Sequence, residues 1–89
     1  MLKRFIVKGR SMEPSYKDGD TLVAFRYGKI QENDVVVFKK NAMTMIKRVQ
    51  KIEKEKYYVR GDNWKESEGS DDFGLITREE IIGKVLFHY

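Results

Sequence analysis

Turn-forming residues recur so densely in this chain that only short segments survive between them. Lys17-Asp18-Gly19-Asp20, Glu32-Asn33-Asp34, Lys40-Asn41 and Gly61-Asp62-Asn63 each offer side chains that tolerate tight or left-handed backbone. The segments they separate carry β-branched and aromatic residues with alternating polarity, and helical periodicity is weak throughout. Strands are expected at Arg4 to Lys8, Thr21 to Tyr27, Asp34 to Lys40, Thr44 to Ile52, Lys56 to Arg60 and Lys84 to Tyr89. Thr77-Arg78-Glu79-Glu80 has the spacing of a capping box, which predicts one helical turn before Ile81 and Ile82, ended by Gly83. The spacing implies an all-β fold, mainly antiparallel and hairpin-rich, with one short helical turn.

A length of 89 residues supports one domain, 1–89, burying only about 60 to 65% of its unfolded surface. Cysteine is absent from the sequence, which excludes disulfides, thiol nucleophiles and zinc–thiolate sites. His88 is the single histidine, so paired-histidine metal motifs are excluded too, and a Ser-His-Asp triad would need the penultimate residue. The scattered carboxylates of Asp18, Asp20, Asp62, Asp71 and Asp72 sit among turns, where Asp is common anyway. No metal and no organic cofactor is implied. The net charge of +4 arises from 18 basic and 14 acidic residues that interleave, the pattern of a solvated surface rather than of a nucleic-acid reader. Phe5-Ile6-Val7, the apolar run near the start, is far too short for a signal-peptide core or a spanning helix. The expected location is cytoplasmic or peripheral to a membrane, with no anchor or signal peptide in this sequence.

Several motifs carry chemistry only in combination. Ser11-Met12-Glu13-Pro14 is followed by Gly19-Asp20, then Asn33-Asp34-Val35-Val36-Val37-Phe38, Lys47-Arg48-Val49 and Gly61-Asp62-Asn63. Phe73-Gly74 and Ile82-Gly83-Lys84-Val85 complete the series. Each piece alone occurs by chance in many proteins; in this order the chain resembles the type I signal peptidase family, the serine–lysine leader peptidases. The short anchorless form is similar to the maturation protease linked to nickel superoxide dismutase. Self-cleaving LexA-like repressors share the serine and lysine pieces but usually lack Gly-Asp-Asn followed by a serine loop.

The resemblance implies a barrel-like signal-peptidase catalytic core in which Ser11 is the nucleophile and Lys47 its base. A lysine with an ordinary pKa near 10.4 is neutral in under about one molecule in a thousand at pH 7, so desolvation must lower it. The strand pattern is suited to this, because Met43, Met45 and Val49 would share a face with Lys47. By the same resemblance Ser67 orients the lysine, and Gly9, Arg10 and Met12 belong to the oxyanion and substrate loop, with the Ser11 N–H as donor and a second donor unidentified. Met12 reads equally as a pocket wall and as a core filler. Asp62 and Asn63 would place the serine loop against the lysine. The family usually continues that loop with Asp-Ser-Arg, whereas this chain has Gly69-Ser70-Asp71, so the salt link of the family is absent or rebuilt through Asp71 or Asp72.

The function implied is that of a serine endopeptidase removing an N-terminal leader, signal peptide or propeptide from a protein substrate bound as an extended strand. No nucleic-acid partner is expected, and peripheral association with a membrane stays open. The alternative is a catalytically degenerate peptide-binding module or a small basic β domain that binds single-stranded nucleic acid. Trp64, Tyr57 and Tyr58 read as packing or rim residues rather than as a base-stacking platform.

Overall fold

The computed structural model describes residues 1–26, 28–65 and 68–89. Within the described residues seven strands form one sheet: β1 Leu2–Ile6, β2 Thr21–Phe25, β3 Val35–Lys40, β4 Met43–Glu53, β5 Lys56–Arg60, β6 Ile76–Thr77 and β7 Ile81–His88. Their order is β1-β2-β7-β3-β4-β5-β6, and every pairing is antiparallel. The terminal strands β1 and β6 do not pair with each other, so the sheet is open rather than a closed barrel.

β3 runs through the middle of the sheet between β4 and β7, and its Val35-Val36-Val37-Phe38 run is buried on both faces. A continuous apolar run suits such a central position, as alternation suits a half-buried one. Val36 and Phe38 join Ile30, Val49, Val59 and Ile76 in the main core, with Met45 and Phe73 packed against it. The β3–β4 hairpin turns at Asn41 and Ala42, both with positive φ (53° and 66°), the geometry of a two-residue hairpin loop. The β4–β5 hairpin turns at Lys54 and Glu55, also with positive φ (49° and 64°), although neither is a turn-forming residue.

The capping box forms as the spacing suggests. Glu80 accepts the Thr77 N–H at 2.9 Å over a 3-10 turn at Arg78–Glu80. Beyond this turn the structure corrects the sequence expectation: Ile81 and Ile82 begin β7, and Gly83 lies inside that strand, opposite Val37. Gly83 is there because of crowding. A Cβ at this position would lie 3.1 Å from the Phe25 carbonyl oxygen and 3.2 Å from the Ala24 Cβ on the neighbouring strand. Two elements have no counterpart in the sequence pattern: a four-residue helix α1 at Ser70–Phe73, and the two-residue strand β6.

Candidate active site

The loop that carries Ser11 leaves β1 under close control. Val7 donates its N–H to the Asp20 carbonyl at 2.9 Å and accepts one from Gly19 at 2.8 Å. Gly9 then takes a φ of 85°, a left-handed conformation that glycine adopts without strain, and a Cβ there would meet nothing within 4 Å. Backbone freedom, not space, is what this position requires. The Gly9 N–H is held by the Asp18 carboxylate at 2.6 Å. Farther on, Asn63 grips the loop twice. Its N–H donates to the Ser11 carbonyl at 2.9 Å and its side-chain amide to the Arg10 carbonyl at 3.1 Å. Met12 is 1% exposed, so it fills core space as well as walling the cleft beside Ser11.

Lys47 sits on β4 opposite Val36 and is 5% exposed. Alternation along β4 places it on the face of Met43, Met45 and Val49, as the sequence pattern implies. Among the described residues, pairing of β4 with β5 begins at Arg48, opposite Arg60, so the stretch before it is paired with β3 on one edge and faces a cleft on the other. This cleft, about 610 Å³, is bounded by Ile6, Val7 and Lys8 on one side and Met43 to Lys47 on the other. Ser11, Lys47 and Glu68 all line it. Burial pushes the Lys47 pKa below its ordinary 10.5. The carboxylates of Glu68 and Asp72 act against this shift, and the Arg60 guanidinium adds to it.

The Gly-Asp-Asn turn is fastened to β4 by the residue next to Lys47. Arg48 donates from Nε to Asp62 Oδ1 and from Nη2 to Asp62 Oδ2, both at 2.9 Å, and from Nη1 to the Asn33 carbonyl at 2.7 Å. A two-pronged guanidinium–carboxylate pair fixes orientation as well as distance. Burial raises the Asp62 carboxyl, but hydrogen bonds from Arg48 and Ser15 and the guanidinium charge outweigh it and leave the pKa below the usual 3.8. Asp62→Asn is therefore expected to cost about 2 kcal/mol at neutral pH, a value reduced for the partial exposure of the pair. Because the native pKa is depressed, this stability is present above pH 3.8 and fades as pH falls through the native value. Thermal melts of both proteins from pH 7 downward should converge in acid. An undiminished gap there would contradict the assignment.

The segment after the turn docks on β5. Ser70 Oγ accepts the buried Val59 N–H at 2.8 Å, Gly69 bridges to Arg60, and Asp72 accepts the Gly69 N–H at 2.9 Å. Asp71 lies beside Tyr58 and pushes the pKa of its hydroxyl up. Among the described residues, the Gly-Asp-Asn turn is joined to β4 through the ion pair of Arg48 with Asp62, in which neither Asp71 nor Asp72 takes part. Ser67, expected to orient the lysine, lies outside the described residues. Trp64 is a rim residue whose ring stacks on the Arg60 guanidinium, 4.1 Å from the ring centroid. Sequence reasoning left Arg48, Asp18 and Glu68 without roles. The opposite charges of Arg48 and Asp62 in two ordered motifs could have suggested their pairing.

A family model described as Peptidase S24-like matches residues 3–86. Signal peptidase IB of Staphylococcus aureus strain COL is 26% identical over 145 aligned positions, which cover 96% of this chain and 76% of that protein. Signal peptidase IB from strains Mu50 and N315 gives the same identity and coverage. The alignments are longer than the 89 residues of this chain, so these relatives carry inserted segments that it does not share. With the match spanning nearly every strand of the sheet, the chain belongs to the S24-like peptidases, a type I signal peptidase-like family.

Proposed function

We propose that this protein is a serine endopeptidase in which Ser11 attacks and Lys47 moves the proton, and that it removes a leader, signal peptide or propeptide from a protein substrate. The observation that carries this reading is the shared cleft: a serine on a tightly held loop and a buried, pKa-lowered lysine line the same cavity. In the first half-reaction neutral Lys47 Nζ accepts the Ser11 hydroxyl proton as Oγ bonds to the scissile carbonyl carbon. Collapse of the tetrahedral intermediate breaks the C–N bond, and the lysine returns that proton to the departing amine. Water then loses a proton to Lys47 as it adds to the acyl ester; collapse of the second tetrahedral intermediate breaks the C–Oγ bond, and Lys47 returns that proton to Ser11 Oγ, restoring the hydroxyl and the neutral amine. The backbone N–H of Ser11 serves the oxyanion, whereas the Gly9 N–H is occupied by Asp18.

Substrate enters as an extended strand between β1 and the first residues of β4. The support is that both lie along the cleft and neither has a strand partner on that side among the described residues. Shallow walls formed by Ile6, Val7, Met12 and Met45 suit small apolar side chains before the cut. Among the described residues no helix is long and apolar enough to cross a membrane. Contact with a membrane surface would rely on basic side chains such as Lys3, Arg4 and Lys8.

Ser11→Ala tests the reading. Cleavage of peptides with small residues before the scissile bond should fall by about a thousandfold or more, and labelling by a fluorophosphonate should vanish with it. Cleavage that persists in Ser11→Ala would refute the nucleophile. Salt-sensitive oligonucleotide binding in a protein that cuts no peptide would favour the nucleic-acid alternative instead.

A further inference from the structure

Glu68 stands where the proposed mechanism has no use for a negative charge. It is exposed in the lining of the cleft, and among the described residues the other charged side chains lining that cleft are Lys8 and Lys47. The remaining walls are largely apolar, with Ile6, Met12, Met43 and Met45 among them. Although exposed, this carboxylate lines the cleft, and its charge acts on Lys47 within it. For catalysis this placement is adverse by itself, because Glu68 favours the protonated form of Lys47. Asp72 acts in the same direction and Arg60 in the opposite one.

We propose that Glu68 is a specificity residue, which selects substrates carrying a lysine or arginine within two residues of the scissile bond. This rests on the reading of Ser11 and Lys47 as the reacting pair, since that reading fixes where the scissile bond lies. Two residues of extended chain span roughly 7 Å, within reach of a long basic side chain from a strand lying in the cleft. A cation on the substrate placed beside Glu68 would offset the pull of the carboxylate on the lysine proton. The feature is a property of this chain's loop, where Glu68 precedes Gly69-Ser70-Asp71.

The test separates binding from cleavage. The Ser11→Ala protein is titrated with fluorescent peptides that differ only in having Lys, Gln or Glu at each position flanking the bond to be cut. At low ionic strength one Lys peptide should bind about fivefold more tightly than its Gln counterpart, the size expected of a partly exposed ion pair. Adding Glu68→Gln should remove that preference, and Glu68→Lys should transfer it to the Glu peptide. Equal binding of Lys and Gln peptides, a preference unchanged by Glu68→Gln, or no binding of any peptide would each overturn the proposal. Failure of the catalytic reading looks different: Ser11→Ala binds the Lys peptide selectively while the wild type leaves it uncut.

Discussion

Lys47→Met should lower peptide cleavage by at least about a hundredfold while making the protein more stable. The rate loss is the contribution of a positioned general base, typically between about 10² and 10⁴. The gain in stability comes from burial, the same feature that would make the proposed base usable. Lys47 is 5% exposed on a face shared with Met43, Met45 and Val49, so a methionine can occupy its place among residues of the same character. Exchanging a buried ionisable group for an apolar one of similar length is worth about 1 to 3 kcal/mol, or several degrees in Tm for a domain of this size.

The pH dependence fixes the sign. A lysine whose native pKa is depressed binds fewer protons folded than unfolded between its native pKa and 10.5, so wild-type stability rises with pH across that window. The advantage of Lys47→Met should therefore be greatest at neutral pH and shrink as pH approaches 10.5. A loss of stability with the loss of activity would mean that the lysine holds the fold together, which is a different role. Over the same range the wild-type cleavage rate should climb as the ammonium loses its proton, and a maximum near pH 5 would contradict the assignment.

Gly69→Ala should destabilise the protein by about 3 kcal/mol, lowering Tm by more than about 10 °C. Gly69 has extended backbone (φ −153°), which any residue adopts, so the cost is steric. An added Cβ would lie 2.6 Å from the Val59 carbonyl oxygen and 3.1 Å from the Arg60 Cα, and neither backbone atom can move aside cheaply. Relief requires the segment to lift from β5. That breaks the Ser70 Oγ contact with the Val59 N–H and leaves a buried donor unpaired. It also displaces Glu68 from the cleft, so activity and peptide preference should change together. Ser70→Ala, which loses the hydrogen bond without the clash, should cost only about 1 kcal/mol. Equal melting temperatures for Gly69→Ala and wild type would show that the segment is not packed on β5 as described.

The strands were legible because alternation and β-branched residues declare themselves over five or more residues. β5 runs over Lys56–Arg60 as expected, and β3 and β4 differ from expectation by one residue at their ends, while Tyr27, the expected end of β2, lies outside the described residues. β6 was not legible, since two residues carry no period; it exists because Ile76 and Thr77 find Tyr57 and Lys56 beside them. The turn at Lys54 and Glu55 was equally hidden. Neither residue favours positive φ, and the paired strands on either side impose it. Gly83 misled because a glycine after an apolar pair reads as a helix end, whereas here it answers to crowding from β2.

At the site, the ordered motifs marked Ser11 and Lys47, and simple alternation foretold the apolar face around the lysine. The groups that bias the site come from elsewhere in the chain. Asp18 fastens Gly9 from the next turn, Asp62 meets Arg48 from fourteen positions away, and Glu68 reaches the cleft only because Gly69 and Ser70 dock on β5. Contacts of that kind depend on how the strands pair and in which register, which no local pattern encodes.

The protonation state of one amine decides the matter. In the Ser11→Ala protein, carbon-13 NMR of the lysine side chains, with Lys47 assigned through Lys47→Met, should follow its Cε resonance through the titration. A midpoint clearly below 10.5, apart from those of the surface lysines, is the predicted result. A midpoint at or above 10.5 would leave Ser11 without a base and contradict the mechanism.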